Sequence, residues 1–176
     1  NVLVGNASGY EEAAQYVLTK TKSPVIFVDG YAHSQFIFFV RAADSDRKFI
    51  LLRGDKLLAS SSISYTYKLQ IHLHNKEEID KTLSDLGVQF VVVESQNISN
   101  VGIYDKLREL LQDSSHFALH KVIPVESNLG KLKNQNLLIY ENLNYKGIKQ
   151  DAVLNLRLPI VGHSINMQLK RILPER

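Results

Sequence analysis

Three features of the 176-residue sequence predict an α/β fold: a three-layer Rossmann-like or flavodoxin-like sheet, mostly parallel, with an antiparallel edge and a C-terminal β-hairpin. The runs VIFV at 25–28 and VQFVVVES at 88–95 are apolar on both strand faces, as strands covered by helices on each side must be. Segments with helical spacing alternate with these runs over most of the chain. The tail then switches to a two-residue alternation around a turn, the mark of a hairpin with one apolar face. The expected organisation is one domain, with residues 1–150 forming the α/β part and residues 151–176 a hairpin packed on it.

The elements follow from local chemistry, in order. Ser8 is the expected N-cap of a helix in YEEAAQYVLTK, whose Glu11 and Glu12 lie in the first turn, where the helix dipole favours acids. Ala13, Ala14, Val17 and Leu18 recur at helical spacing and should face the sheet. Ser23 and Pro24 stop that helix before the first strand, 25–28. A polar turn at 29–34, an apolar helix at 35–43 and a second strand at 48–52 come next. The stretch 57–64 contains SSS and reads as a loop. YTYKLQIHLH then places Leu69, Ile71 and Leu73 on one face and Gln70, His72 and His74 on the other, a strand near an edge with one wet face.

Asn75 caps the following helix, with Ile79, Leu83 and Leu86 inward and Gly87 as its C-cap. After the central strand at 88–95, Ile103, Leu107, Leu110 and Leu111 define an amphipathic helix over 100–112. HFALHKVIPV and NQNLLIYEN read as adjacent strands joined by SNLGKLK. In the tail, Leu154, Leu156, Leu158 and Ile160 share one face with Ile165, Met167 and Leu169. The turn is expected at Gly162, His163 and Ser164, and Pro159 restricts the first half to an edge.

Composition narrows the function classes. A hydrophobic share of 44% and a charged share of 22% are those of an ordinary globular chain. No stretch reaches the roughly 18 to 20 apolar residues of a membrane-spanning helix. The chain begins at Asn1 without Met, so it reads as a processed form or an excised piece. The net charge of +3 is mild and spread out, apart from Lys170, Arg171 and Arg176. It lacks the basic face of a nucleic-acid binder and suits weak attraction to anionic headgroups. The absence of cysteine excludes thiolate metal sites, thiol nucleophiles and disulfides.

The candidate site lies in the stretch 24–58. Ligands in open α/β sheets favour the crevice outside the carboxyl ends of the strands. Two strand ends deliver Asp29, His33, Arg53, Asp55 and Lys56 to such a place, with Arg41 expected nearby. The basic groups suit a phosphate or carboxylate, the arginines through their bidentate forks. The alternative is an ion-pair cluster in which Asp29 or Asp55 satisfies the arginines. Arg53-Gly54-Asp55 spells an adhesion tripeptide only by chance, since it ends a buried strand. His72 and His74 share a strand face without an evident third ligand, so no metal site is expected. His116 and His120 fall in a strand, where their spacing brings them no closer. No serine elbow, dinucleotide fingerprint or phosphate loop occurs, so no cofactor is expected. Glu11-Glu12 and Glu77-Glu78 are neighbours that diverge on their helices, unlike a glycosidase pair. Asn6 and Asn97 begin sequons of the glycosylation form.

The motifs GYEEAAQYV, VIFVDG, FIFFVR with DSDRK, LLRGDKLL, VQFVVVES and LLIYE, taken together, span most of the chain. In them the sequence resembles the soluble C-terminal region of bacterial polytopic membrane glycosyltransferases, of the protein-mannosyltransferase and aminoarabinose-transferase kind. These enzymes take a sugar from a dolichyl- or polyprenyl-phosphate carrier. The resemblance implies a domain on the extracytoplasmic, periplasmic face of the inner membrane, with the membrane-embedded part of the same polypeptide as its partner. A glycan or lipid headgroup is the further ligand it allows. The catalytic acid of such enzymes lies between early membrane helices that have no counterpart here. The implied role is therefore a non-catalytic accessory domain, with no catalytic residue assigned. The alternative is a free-standing α/β module or small enzyme for a phosphate- or carboxylate-bearing ligand. A third reading is an interaction module that docks through the hairpin.

Overall fold

The computed structural model describes residues 7–61, 69–158 and 163–169. Its helices are α1 (Tyr10–Lys20), α2 (His33–Ala43), α3 (Gly54–Leu57), α4 (Lys76–Asp85) and α5 (Gly102–Leu111). Its strands are β1 (Val25–Asp29), β2 (Ile50–Arg53), β3 (Ala59–Ser61), β4 (Leu69–Ile71), β5 (Phe90–Glu94), β6 (Phe117–Pro124), β7 (Asn136–Asn142), β8 (Val153–Leu158) and β9 (His163–Gln168). A 3-10 turn at Gly130–Leu132 lies between β6 and β7.

Every residue of β1 and β5 is buried, and these two strands sit inside a five-stranded sheet ordered β2-β1-β5-β7-β6. β1 runs parallel to β2 and to β5, whereas β7 runs against both β5 and β6. Four strands therefore point one way and β7 alone opposes them, a mostly parallel sheet with an antiparallel edge. The two-residue period splits each central strand between two cores. Val25 and Phe27 of β1, with Val91 and Val93 of β5, meet Ile79 and Leu83 of α4 and Leu107 and Leu111 of α5. Ile26, Val28, Phe90 and Val92 meet Ala13, Ala14 and Val17 of α1 and Phe36 and Val40 of α2. The β8–β9 hairpin joins the first of these cores through Leu154 and Leu169.

The connections set the position of the candidate site. From β1 the chain passes through α2 to β2 on one side, then reaches β5 on the other side after α4, which packs on the opposite face. The strand order thus reverses at β1. The crevice between the loops after β1 and β5 is the topological switch point of the sheet, the favoured ligand position in this architecture.

Several local expectations need correction. Gly9, at φ 90°, takes the N-cap place of α1 without a side-chain cap. Ser8 turns instead to Glu126, donating its amide to the Glu126 carbonyl at 2.8 Å and accepting the Glu126 amide on Oγ at 3.1 Å. A Cβ on Gly9 would lie 2.9 Å from the Pro124 carbonyl oxygen, so the close approach to the end of β6 requires glycine. The expected loop at 57–64 holds part of α3 and then β3, which pairs antiparallel with β4; residues 62–64 lie outside the described residues. That pairing draws β4 away from the main sheet. Leu69 is 50% and Ile71 43% exposed, so the face expected to be inward is wet there as well, while Leu73 packs on the core. His163 and Ser164 belong to β9, because the ladder continues to the pair Leu158 and His163. Asn6, Pro159, Ile160, Gly162, Lys170, Arg171 and Arg176 lie outside the described residues.

The cap at Asn75 is as the sequence predicts. Its side chain accepts the Glu78 amide at 2.8 Å, and Glu78 reaches back to the His74 amide at 2.8 Å. Gly87, at φ 71°, ends that segment. Among the described residues no helix is long and apolar enough to cross a membrane.

Candidate functional site

The carboxyl ends of the two central strands carry an acid each, Asp29 on β1 and Glu94 on β5. Glu94 is 1% exposed. Its Oε1 accepts the Tyr10 hydroxyl at 2.8 Å and the Ala32 amide at 2.8 Å, and its Oε2 accepts the Tyr31 amide at 2.9 Å. The two amides belong to the turn that opens α2, where a negative charge is favoured by the helix dipole. These bonds also explain why α2 begins at His33 rather than at residue 35, the expected start. Gly30 makes the approach possible, since a Cβ there would lie 2.5 Å from the Glu94 Cδ. Burial and the neighbouring Glu94 push the Tyr10 hydroxyl well above the ordinary tyrosine range.

Asp29 faces the other helical layer. Arg108 of α5 donates from Nη1 to Asp29 Oδ2 at 3.0 Å and to the Tyr104 carbonyl at 2.9 Å. Its Nε donates to the Glu94 carbonyl at 3.0 Å. The side chains of this pair are 12% and 8% exposed, for Arg108 and Asp29 respectively. Burial pushes the Asp29 carboxyl up, against the opposing pull of the Arg108 guanidinium. Gly54 stands against Asp29, where a Cβ would overlap Oδ1.

The other residues singled out from sequence gather around Asp55. Arg53 closes its fork on Asp55, from Nε at 2.8 Å and from Nη2 at 2.6 Å. His33 Nε2 lies 3.8 Å and Lys56 Nζ 4.0 Å from the same carboxylate. Arg53 therefore satisfies an acid of the domain with its bidentate face. Arg41 is a correction: its Nη1 donates to the Phe49 carbonyl at 2.8 Å and to Asp44 Oδ2 at 3.4 Å. α2 runs back against the strands and carries Arg41 to the amino end of β2, away from the crevice.

A crevice of about 380 Å³ opens above these groups. Gly30 and Tyr31 line it after β1 and Gln96 and Ser99 after β5, together with Asp29, Asp55, Tyr104, Arg108 and Lys131. The loop after β5 is braced by Asn97, whose amide donates to the Val101 carbonyl at 3.1 Å and to Asp105 Oδ1 at 3.0 Å. The Asn97 amide of the sequon is thus engaged in the fold. Burial, with the charges of Asp29 and Asp55, pushes the Tyr104 hydroxyl up. The histidines pair with carboxylates elsewhere: His116 Nδ1 lies 2.9 Å from Asp80 Oδ2, and His120 Nε2 lies 2.8 Å from Glu141 Oε2. Among the described residues no three potential metal ligands gather.

Sequence reading missed Glu94, Arg108, Tyr10, Tyr31, Tyr104, Gln96 and Lys131. Glu94 carries a usable signal: an acid ending an otherwise apolar central strand needs buried donors. Arg108 carries none, because it lies on an amphipathic helix whose polar residues all look alike. No known protein family, curated protein or solved structure matches the chain.

Arg108→Ala should lower the unfolding free energy by about 3 to 5 kcal/mol, because it leaves Asp29 buried and unpaired. Adding Asp29→Asn to that variant should restore most of the loss. Urea titrations check both, and a loss below about 1 kcal/mol would mean that the pair does not hold the layers. Tyr10→Phe should cost about 1.5 to 3 kcal/mol at neutral pH, the range of a hydrogen bond to a charged group. Unfolded Tyr10 ionises near 10.0 and the folded residue higher. Its stabilisation is thus intact below pH 10.0 and lost as pH rises toward the folded value. Urea midpoints measured across the alkaline range should fall less steeply in Tyr10→Phe than in the parent chain.

Proposed function

We propose that this chain is a non-catalytic accessory domain of a membrane glycosyltransferase that takes its sugar from a polyprenyl-phosphate carrier. It sits on the extracytoplasmic face of the membrane, attached to the membrane-embedded part of the same polypeptide. The observation that carries this reading is what the resembling motifs do in the fold. VIFVDG supplies Asp29 and Gly30, LLRGDKLL supplies Arg53, Gly54 and Asp55, and VQFVVVES supplies Glu94.

The charges in these motifs are turned inward on the domain. Asp29 binds Arg108, Asp55 binds Arg53, and Glu94 takes Tyr10 and two backbone amides. A general acid, base or nucleophile must face its substrate at hydrogen-bonding distance. Groups that join strand ends to helices instead are what a folding signature requires. The mild positive charge of +3 suits a position beside anionic headgroups. An anion-binding module centred on Arg53 is the less favoured reading, since Asp55 already fills the Arg53 fork.

The gene upstream of Asn1 tests the proposal. A series of membrane-spanning segments in the same reading frame is the expected finding. An upstream region without them would overturn it.

A further inference from the structure

The crevice over β1 and β5 is not filled by its own pairs. Lys131 has no carboxylate partner among the described residues and lies 5.2 Å from the centroid of the Tyr31 ring. Tyr31 is 51% exposed, so its ring is offered to the crevice opening. Tyr104 is only 9% exposed, lines the crevice, and its hydroxyl has no hydrogen-bond partner among the described residues. The side-chain amide of Gln96 is likewise uncommitted. Asp29 and Asp55 also line the crevice, Asp29 with Oδ2 bound to Arg108 and Oδ1 against Gly54, Asp55 with its side chain 38% exposed.

These groups select a ligand chemistry. One ammonium, resting over the Tyr31 ring without a carboxylate partner among the described residues, matches one negative charge. A bare anion is disfavoured, because the carboxylates of Asp29 and Asp55 also line the crevice and repel it. A ligand with hydroxyls turns the same carboxylates into hydrogen-bond acceptors and uses the Tyr104 and Gln96 groups as well. The exposed Tyr31 ring offers a flat apolar surface of the kind small-molecule sites combine with a few placed polar groups. The volume of about 380 Å³ is near the lower end of the usual ~300–1,000 Å³ range and so suits one ring rather than a chain.

We propose that the switch-point crevice binds an acidic sugar, a single ring carrying one carboxylate or phosphate. Lys131 meets the charge, Tyr31 packs on the ring, and Tyr104, Gln96 and Asp55 take the hydroxyls. This goes beyond the accessory-domain reading and stands whatever precedes Asn1 in the gene.

Titration of the folded chain, followed by NMR or calorimetry, tests it with glucuronate, glucose 1-phosphate, glucose and inorganic phosphate. Saturable binding of glucuronate or glucose 1-phosphate is expected, with glucose and inorganic phosphate each at least about tenfold weaker. Lys131→Ala should remove the preference for the charged sugars, and Tyr104→Phe should weaken binding in a chain that still folds. Lys20→Ala, in the last turn of α1 and outside the crevice, should change nothing. No saturable binding of either acidic sugar overturns the proposal. So does phosphate binding as tightly as glucose 1-phosphate, glucose binding as tightly as glucuronate, or Lys131→Ala leaving the preference intact.

Discussion

The buried carboxylate of Glu94 is the interaction on which the rest of the structure depends. It ends β5, the central strand, and takes the Tyr10 hydroxyl from α1 and the amides of Tyr31 and Ala32 from the turn into α2. An unpartnered carboxylate in that position would cost several kcal/mol. Three donors offset that cost, and in doing so they fix where two helices start relative to the sheet. The arrangement demands a residue without a side chain at Gly30, because a Cβ would occupy the space of the Glu94 carboxyl. Aligned amides at the start of α2 add a favourable field.

Asp29 repeats the device on the opposite layer. Arg108 binds it and the Glu94 carbonyl together, so α5 is tied to the ends of both central strands. Gly54 leaves room for the Asp29 carboxyl as Gly30 does for Glu94. The crevice therefore has walls held from both layers. A site with fixed walls loses little conformational freedom when a ligand enters. The same bonds that hold Asp29 and Glu94 shape the space above them.

What the sequence made legible was local. The doubly buried strands β1 and β5, the capped helix α4 and the stripe of α5 are patterns within a dozen residues of chain, and each is present. The sheet's parallel character followed from the helices between the strands. The long-range pairs were invisible: Arg108 and Asp29 are 79 positions apart, and Tyr10 and Glu94 are 84 apart. Arg41 was placed wrongly because periodicity gives a helix without saying which end of it meets the crevice. Ser8 looked like a cap because its partner, Glu126, lies 118 positions away in the chain. β4 kept its alternation yet is exposed on both faces, since it pairs with β3 rather than with the main sheet.

The strand-end charges join the layers of the domain. Urea unfolding of Glu94→Ala tests it most directly. Removing the carboxyl leaves the buried Tyr10 hydroxyl and Ala32 amide, each worth about 1 to 3 kcal/mol, and the half-buried Tyr31 amide without their acceptor. The expected result is a loss of at least about 3 kcal/mol, with a single cooperative transition at a much lower midpoint. A stability within about 0.5 kcal/mol of the parent chain would contradict it, since that is what an ordinary surface substitution does.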